Sequence, residues 1–135
     1  MKTTNKATAT ALEIMVAGLA VGESRTFDNA PGVYMAAHVE RISPKCYSIA
    51  HYYRQNGDTI ADPDLVVWKS PIGGFVPVSL QLCTGHTTVA VKLDDDEPVA
   101  FSPRASRELA SFANMMIRNV KTQQGGLAAL RKGSK

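Results

Sequence analysis

Residues 46–69 read CYSIAHYYRQ-NG-DTIADPDLVVWK, and this stretch decides the fold. Asn56-Gly57 stands between two extended runs. A two-residue type I′ turn needs positive φ at both central positions, and Asn-Gly meets that need at little steric cost. The flanking runs hold Tyr, Ile, Val and Trp, which suit a pleated surface. A tight turn at 56–57 pairs 55 with 58 and 51 with 62. Asp62-Pro63-Asp64 interrupts the returning strand, because proline cannot donate to a ladder and needs a bulge or an edge.

A second hairpin follows. Val76, Val78, Leu80 and Leu82 alternate with Pro77, Ser79 and Gln81. After Thr84-Gly85, Thr87, Val89, Val91 and Leu93 alternate with His86, Thr88, Ala90 and Lys92. A two-residue turn at 84–85 pairs 82 with 87, 80 with 89, 78 with 91 and 76 with 93. That register gathers the apolar residues on one face, and a slip of one residue would scatter them.

Upstream, residues 24–28 and 33–43 read as strands separated by a turn at Asn29-Ala30-Pro31-Gly32. Further upstream the period changes. Leu12, Met15, Val16 and Leu19 mark one face of a helix from about Thr8 to Ala20, with Gly22 as its stop. Downstream, Ser102 caps a second helix with Pro103 in its first turn. Leu109, Phe112, Ala113, Met116 and Val120 form its apolar face, and Gly125-Gly126 ends it. The expected fold is α+β: an antiparallel meander sheet of five or six strands, flanked by an N-terminal and a C-terminal helix packed on one face. Residues 1–6 read as a flexible tail, 7–124 as a single domain and 125–135 as a basic flexible tail.

The chain has 135 residues, 44% of them hydrophobic and 20% charged, which suits one globular domain. Two cysteines do not make the framework of a small secreted protein, and the run after Lys6 is interrupted by Glu13, so no signal peptide is expected. A cytoplasmic protein is expected, with no membrane span. The net charge of +3 is unevenly spread: residues 104–135 hold seven Lys/Arg against one Asp/Glu. On a helix, Arg104, Arg107, Arg118 and Lys121 fall in a stripe about 100° wide. Such a stripe would bind phosphates without sequence preference, although it lacks interleaved aromatics.

Other constellations carry less. Cys46, His51, Cys83 and His86 have the residue types of a zinc site, but Cys46 and His51 differ in strand parity, so no metal is expected. No cofactor is expected either. His51 and Asp62, opposite each other in the expected register, would place a carboxylate beside an imidazole as in a general base. No nucleophile stands beside them, and an ion pair is the plainer reading. Asp94-Asp95-Asp96-Glu97 lacks the spacing of a calcium loop and reads as a solvated strand end. The outward face of the second hairpin, Phe75, Pro77, Ser79, Gln81, Cys83, His86, Thr88 and Ala90, carries no charge. Such a face suits a protein partner or a homodimer. Gln81 and His86 there, with Tyr53 on the first hairpin, are candidate contact residues.

The run His51-Tyr52-Tyr53-Arg54-Gln55-Asn56-Gly57-Asp58, followed by Asp62-Pro63-Asp64 and then Pro77-Val78-Ser79 with Gln81, resembles a family of small proteins of unknown function. Its members are encoded largely on bacterial plasmids, phages and integrated elements. The resemblance covers about residues 34–92. It implies an accessory protein of a mobile element and carries over no catalytic residue. The expected function is therefore a non-enzymatic binding protein that contacts a host or element protein, for example to inhibit host defence. The alternatives are a nucleic-acid-associated protein using the basic helix and tail, and a small hydrolase or transferase centred on His51 and Asp62.

Overall fold

The computed structural model describes residues 1–30 and 32–132, and of residues 53–55 the backbone alone. The order is α1 (Lys6–Val16), β1 (Ser24–Phe27), β2 (Ala37–Arg41), β3 (Cys46–Gln55), β4 (Asp58–Lys69), β5 (Phe75–Gln81), β6 (Thr87–Val89), β7 (Val91–Asp94), β8 (Glu97–Phe101), α2 (Pro103–Gln123) and α3 (Leu127–Lys132). β1 to β6 form an antiparallel meander in sequential order, and β7–β8 form a separate two-stranded sheet. The α+β class and the flanking helices are as the periodicities require.

One sheet face makes the core. Val39, Ile49 and Leu65 lie in one row across three strands, and Tyr47 opposes Val67 in the next. All five are buried, with Phe27 and Phe75, against Leu12, Met15, Ala113, Met116 and Ile117 of the helices. α2 lies against β5 and α1, and α1 also against β2 and α3.

The first hairpin keeps the expected turn. Asn56 and Gly57 have φ of 53° and 84°, and Gln55 opposes Asp58. The register then shifts between Ala50 and Tyr52, so that Ala50 opposes Asp64. The irregularity falls opposite Pro63, whose nitrogen has no proton to give.

The second hairpin is a correction. Leu80 opposes Thr88 and Gln81 opposes Thr87, one residue from the expected register. Leu82 N–H donates to His86 O at 2.9 Å, so the loop has three residues, ending on Gly85 at φ 87°. A three-residue loop that closes on a left-handed glycine is a standard alternative to the two-residue turn. A second shift, between Val66 and Val67, breaks the alternation of β5. Val76 opposes Trp68 on one face while Leu80 opposes Leu65 on the other. The uncharged outward face is therefore divided: Phe75, Pro77 and Ala90 are buried. Ser79 and Gln81 remain on the outer side.

Other boundaries moved. α1 begins early because Asn5 caps it, its Oδ1 accepting from Thr8 N at 2.8 Å, and it ends before Gly18, which has φ 78°. Residues 33–35 are exposed loop rather than strand. The N-terminal segment is tied down: Lys2 N donates to Ser106 Oγ at 2.8 Å and Thr4 N to Phe75 O at 2.9 Å. Part of the C-terminal segment is helical too, with Leu130 of α3 buried. Pro31 and residues 133–135 lie outside the described residues.

The β7–β8 hairpin turns on Asp95 and Asp96, with φ of 51° and 63°. The Asp96 carboxylate accepts from Ser43 Oγ and from Lys45 N, each at 2.7 Å, and Asp96 O accepts from Trp68 Nε1 at 2.8 Å. The acidic run is thus a clip that fastens the small sheet over Trp68 at one end of the large one.

Candidate interaction face

The outer face of the large sheet is set by register. One row reads Thr26, His38, Ala50, Asp64, Gln81, Thr87 from β1 to β6. The next row reads Ser24, Glu40, Ser48, Val66, Ser79, Val89. Glu40, Gln81, Thr87 and Val89 are exposed, and Tyr52 stands beside His38 with ring centroids 5.0 Å apart. The face is thus a polar lane with an aromatic at one end. Ala37 opposes His51, so the β1–β2 loop meets the sheet at that same end. Val33, Tyr34 and Met35 of this loop are 72%, 46% and 47% exposed.

Two polar pairs of the lane satisfy one another. Ser48 Oγ donates to Asp64 Oδ1 at 2.6 Å, and Thr26 Oγ1 shares a hydrogen bond with His38 Nδ1 at 2.9 Å. Burial, then the neighbouring His51, push the His38 pKa below its ordinary value, and Asp28 opposes this only in part. Burial, with Asp64 and Glu40 nearby, pushes the Tyr52 phenol up. His38 and Tyr52 are consequently uncharged near neutral pH. The Ser48 hydroxyl is spent on a carboxylate, and the imidazole of the lane is spent on Thr26.

His51 and Asp62 form no ion pair with each other. His51 Nδ1 lies 3.0 Å from Ala36 O, and Asp62 Oδ1 accepts from Cys83 N at 3.2 Å. At the shift at 50–52 His51 lies across from Asp62 and Pro63 without a one-to-one partner. Nor do the cysteines and histidines converge. Cys46 is buried with its thiol 3.4 Å from Asp96 Oδ1, while Cys83 and His86 sit exposed at the β5–β6 loop. Among the described residues no three His, Cys, Asp or Glu gather as a metal would require. Gln81 does lie in the lane. Tyr53, whose side chain is not described, lies outside the described residues for this purpose.

The basic stripe divides in two. Arg104 Nε pairs with Glu108 Oε1 at 3.2 Å on the exposed first turns of α2, and Arg107 beside it is exposed. Arg118 and Lys121 line a groove of about 320 Å³ between α2 and the start of α1. A larger groove of about 700 Å³ lies near the C-terminal end of α1. Its cations are engaged: Lys45 with Glu97, Lys69 with Glu13, and Arg41 with Leu19 O and Pro44 O.

Sequence reasoning missed His38, Tyr52 and the Ser48–Asp64 contact, since a row is visible only when the pairing of β2 with β3 is known. It also missed Asn114, although 107, 111, 114, 118 and 121 keep one helical face.

A family model described as a domain of unknown function (DUF6908) matches residues 8–126. The chain belongs to this family. The match runs from Thr8 within α1 to just past α2, so the open lane and the larger groove fall within the DUF6908 domain, as does the smaller groove except for Asn5 and Ala7. No curated protein and no solved structure matches the chain. Among the described residues no helix is long and apolar enough to cross a membrane.

Proposed function

We propose that this DUF6908 protein is a non-enzymatic binding protein that engages a protein partner through the outer face of its large sheet. The carrying observation is the lane from Tyr52 to Thr87, exposed at Tyr52, Gln81 and Thr87 and half-buried over most of its middle, bordered at one end by the apolar loop Val33–Met35. Interfaces favour aromatic and apolar anchors amid polar groups that are already satisfied, and burying such groups costs little. The hydrogen bonds of Ser48 and Thr26 already engage Asp64 and His38, so these four groups are satisfied before a partner arrives. The resemblance to proteins of plasmids, phages and integrated elements supports an accessory role in a mobile element. A host protein, such as a component of a defence system, is the partner that such a role implies.

The test compares wild type with Tyr52→Ala and Gln81→Arg as bait in lysate of a bacterial host. Both side chains are exposed, so both variants should fold. The reading requires a captured protein that is lost with either substitution and kept with Thr122→Arg on the helix side. Equal capture by all baits, or none by wild type, removes it.

A further inference from the structure

The groove between α1 and α2 is rich in donors and has no carboxylate in its lining. Arg118 and Lys121 contribute its charge, and among the described residues neither has an ion-pair partner. The two are three apart on one helix face, where like charges repel. Two amides add donors. Asn5 Oδ1 is taken by Thr8 N and Asn114 Oδ1 by Asn5 N, at 2.8 and 2.9 Å. Each amide thereby keeps its NH₂ as the free polar end at a residue lining the groove. Ser111 and Thr8 also line it and carry hydroxyls. The first turn of α1, which borders the groove, contains no acid, so its positive end is not neutralised there. This dipole adds to the field of the two cations and is not its source. Ala11, Met115 and Ile117 close the groove with apolar atoms, leaving room beside the donors for an uncharged group.

We propose that this groove binds a phosphoryl group, carried by a small phosphate ester or by free phosphate. A tetrahedral oxyanion accepts from guanidinium, ammonium and amide donors together, and it relieves the repulsion between Arg118 and Lys121. The contrast with the larger groove supports the assignment, since there every cation already has a carboxylate or carbonyl partner. The site lies on the helix layer, so it stands or falls separately from the sheet face.

The experiment is amide chemical-shift mapping of the full chain with two probes, inorganic phosphate and adenosine monophosphate, at constant ionic strength set with chloride. The amides of Asn5, Ser111, Asn114 and Arg118 should move and saturate. Tighter binding of the ester by tenfold or more would name an ester as the source, and equal binding would name free phosphate. Asn114→Asp keeps the acceptor for Asn5 N–H and replaces a donor with a negative charge, so it should abolish saturation while the melting temperature holds. If that variant does not fold, Lys121→Gln and Arg118→Gln should each weaken binding several-fold, as both residues reach solvent. No movement in the groove at millimolar probe, equal movement with chloride alone, or unchanged binding in the folded variants would overturn the proposal. Displacement of both probes by a single-stranded oligonucleotide, with steep salt dependence, would also overturn it by assigning the groove to nucleic acid.

Discussion

Ser43 donates its hydroxyl proton to Asp96 at 2.7 Å, across 53 residues of chain, and so joins the β2–β3 turn to the β7–β8 turn. Partial burial alone would raise the Asp96 carboxyl. Hydrogen bonds from Ser43, the Lys45 amide and Cys46 outweigh it and hold the carboxyl below the usual carboxylate range. The ionised carboxylate therefore favours the folded state. Its contribution is complete above the unfolded value of 3.8 and is lost as pH falls through the lower folded one. Asp96→Ala should cost about 1–3 kcal/mol at neutral pH, with Trp68 fluorescence reporting a loosened hairpin, and should flatten the acid limb of the stability curve. Equal melting of the variant and wild type at pH 7 would show that the clip contributes nothing.

The two thiols should differ sharply in reactivity. Cys46 is buried, and that burial pushes its thiol up to about 11, while Cys83 is exposed. A thiolate is the reacting species, so a thiol reagent at pH 8 should modify one cysteine per folded chain. Cys83→Ser should abolish that fast phase, and the second thiol should appear only on unfolding. Mass spectrometry of the modified peptides reads the result directly.

His38 gives a pH signature on the sheet face. Its folded pKa lies below the ordinary 6.5, so the neutral ring favours folding. That contribution is present above 6.5 and is lost as pH falls through the folded value. His38→Gln should remove this part of the pH dependence and leave the carboxylate limb in place. A ring titration by NMR at or above 6.5 would contradict it.

Residues 1–4 should matter for stability. Their removal deletes the hydrogen bonds from Lys2 N to Ser106 and from Thr4 N to Phe75. A loss of about 1–3 kcal/mol in denaturant unfolding is expected. A flexible tail could be removed at no cost.

What could be read in the sequence was local. Asn56-Gly57 dictates its own turn through φ alone, and Gln55 meets Asp58 as that turn demands. The Ser102 cap works through the nearby Ala105 N–H and Pro103 through its fixed φ in the first turn, and both were equally legible. The second hairpin failed because Cys83-Thr84-Gly85 suits a three-residue loop as well as Thr84-Gly85 suits a two-residue one. The alternation of Val76 to Leu82 could not reveal an extra residue in β5. The basic stripe followed from helical period, but its lower half became a groove only through Asn5, more than 100 residues away. The lane from Thr26 to Thr87 depends on five registers at once, and an error in one hides it.

The central claim is that the outer sheet face, and not the helix layer, meets a protein. Photo-crosslinking in the host reads it most directly, with a benzophenone side chain placed at Tyr52, at Tyr34 and, as a control, at Thr122. The account predicts a discrete heavier adduct from Tyr52 and Tyr34 and none from Thr122. An adduct at twice the chain mass of 14.5 kDa would name a second copy as the partner. Adducts from Thr122 alone, or the same smear from all three positions, would contradict it.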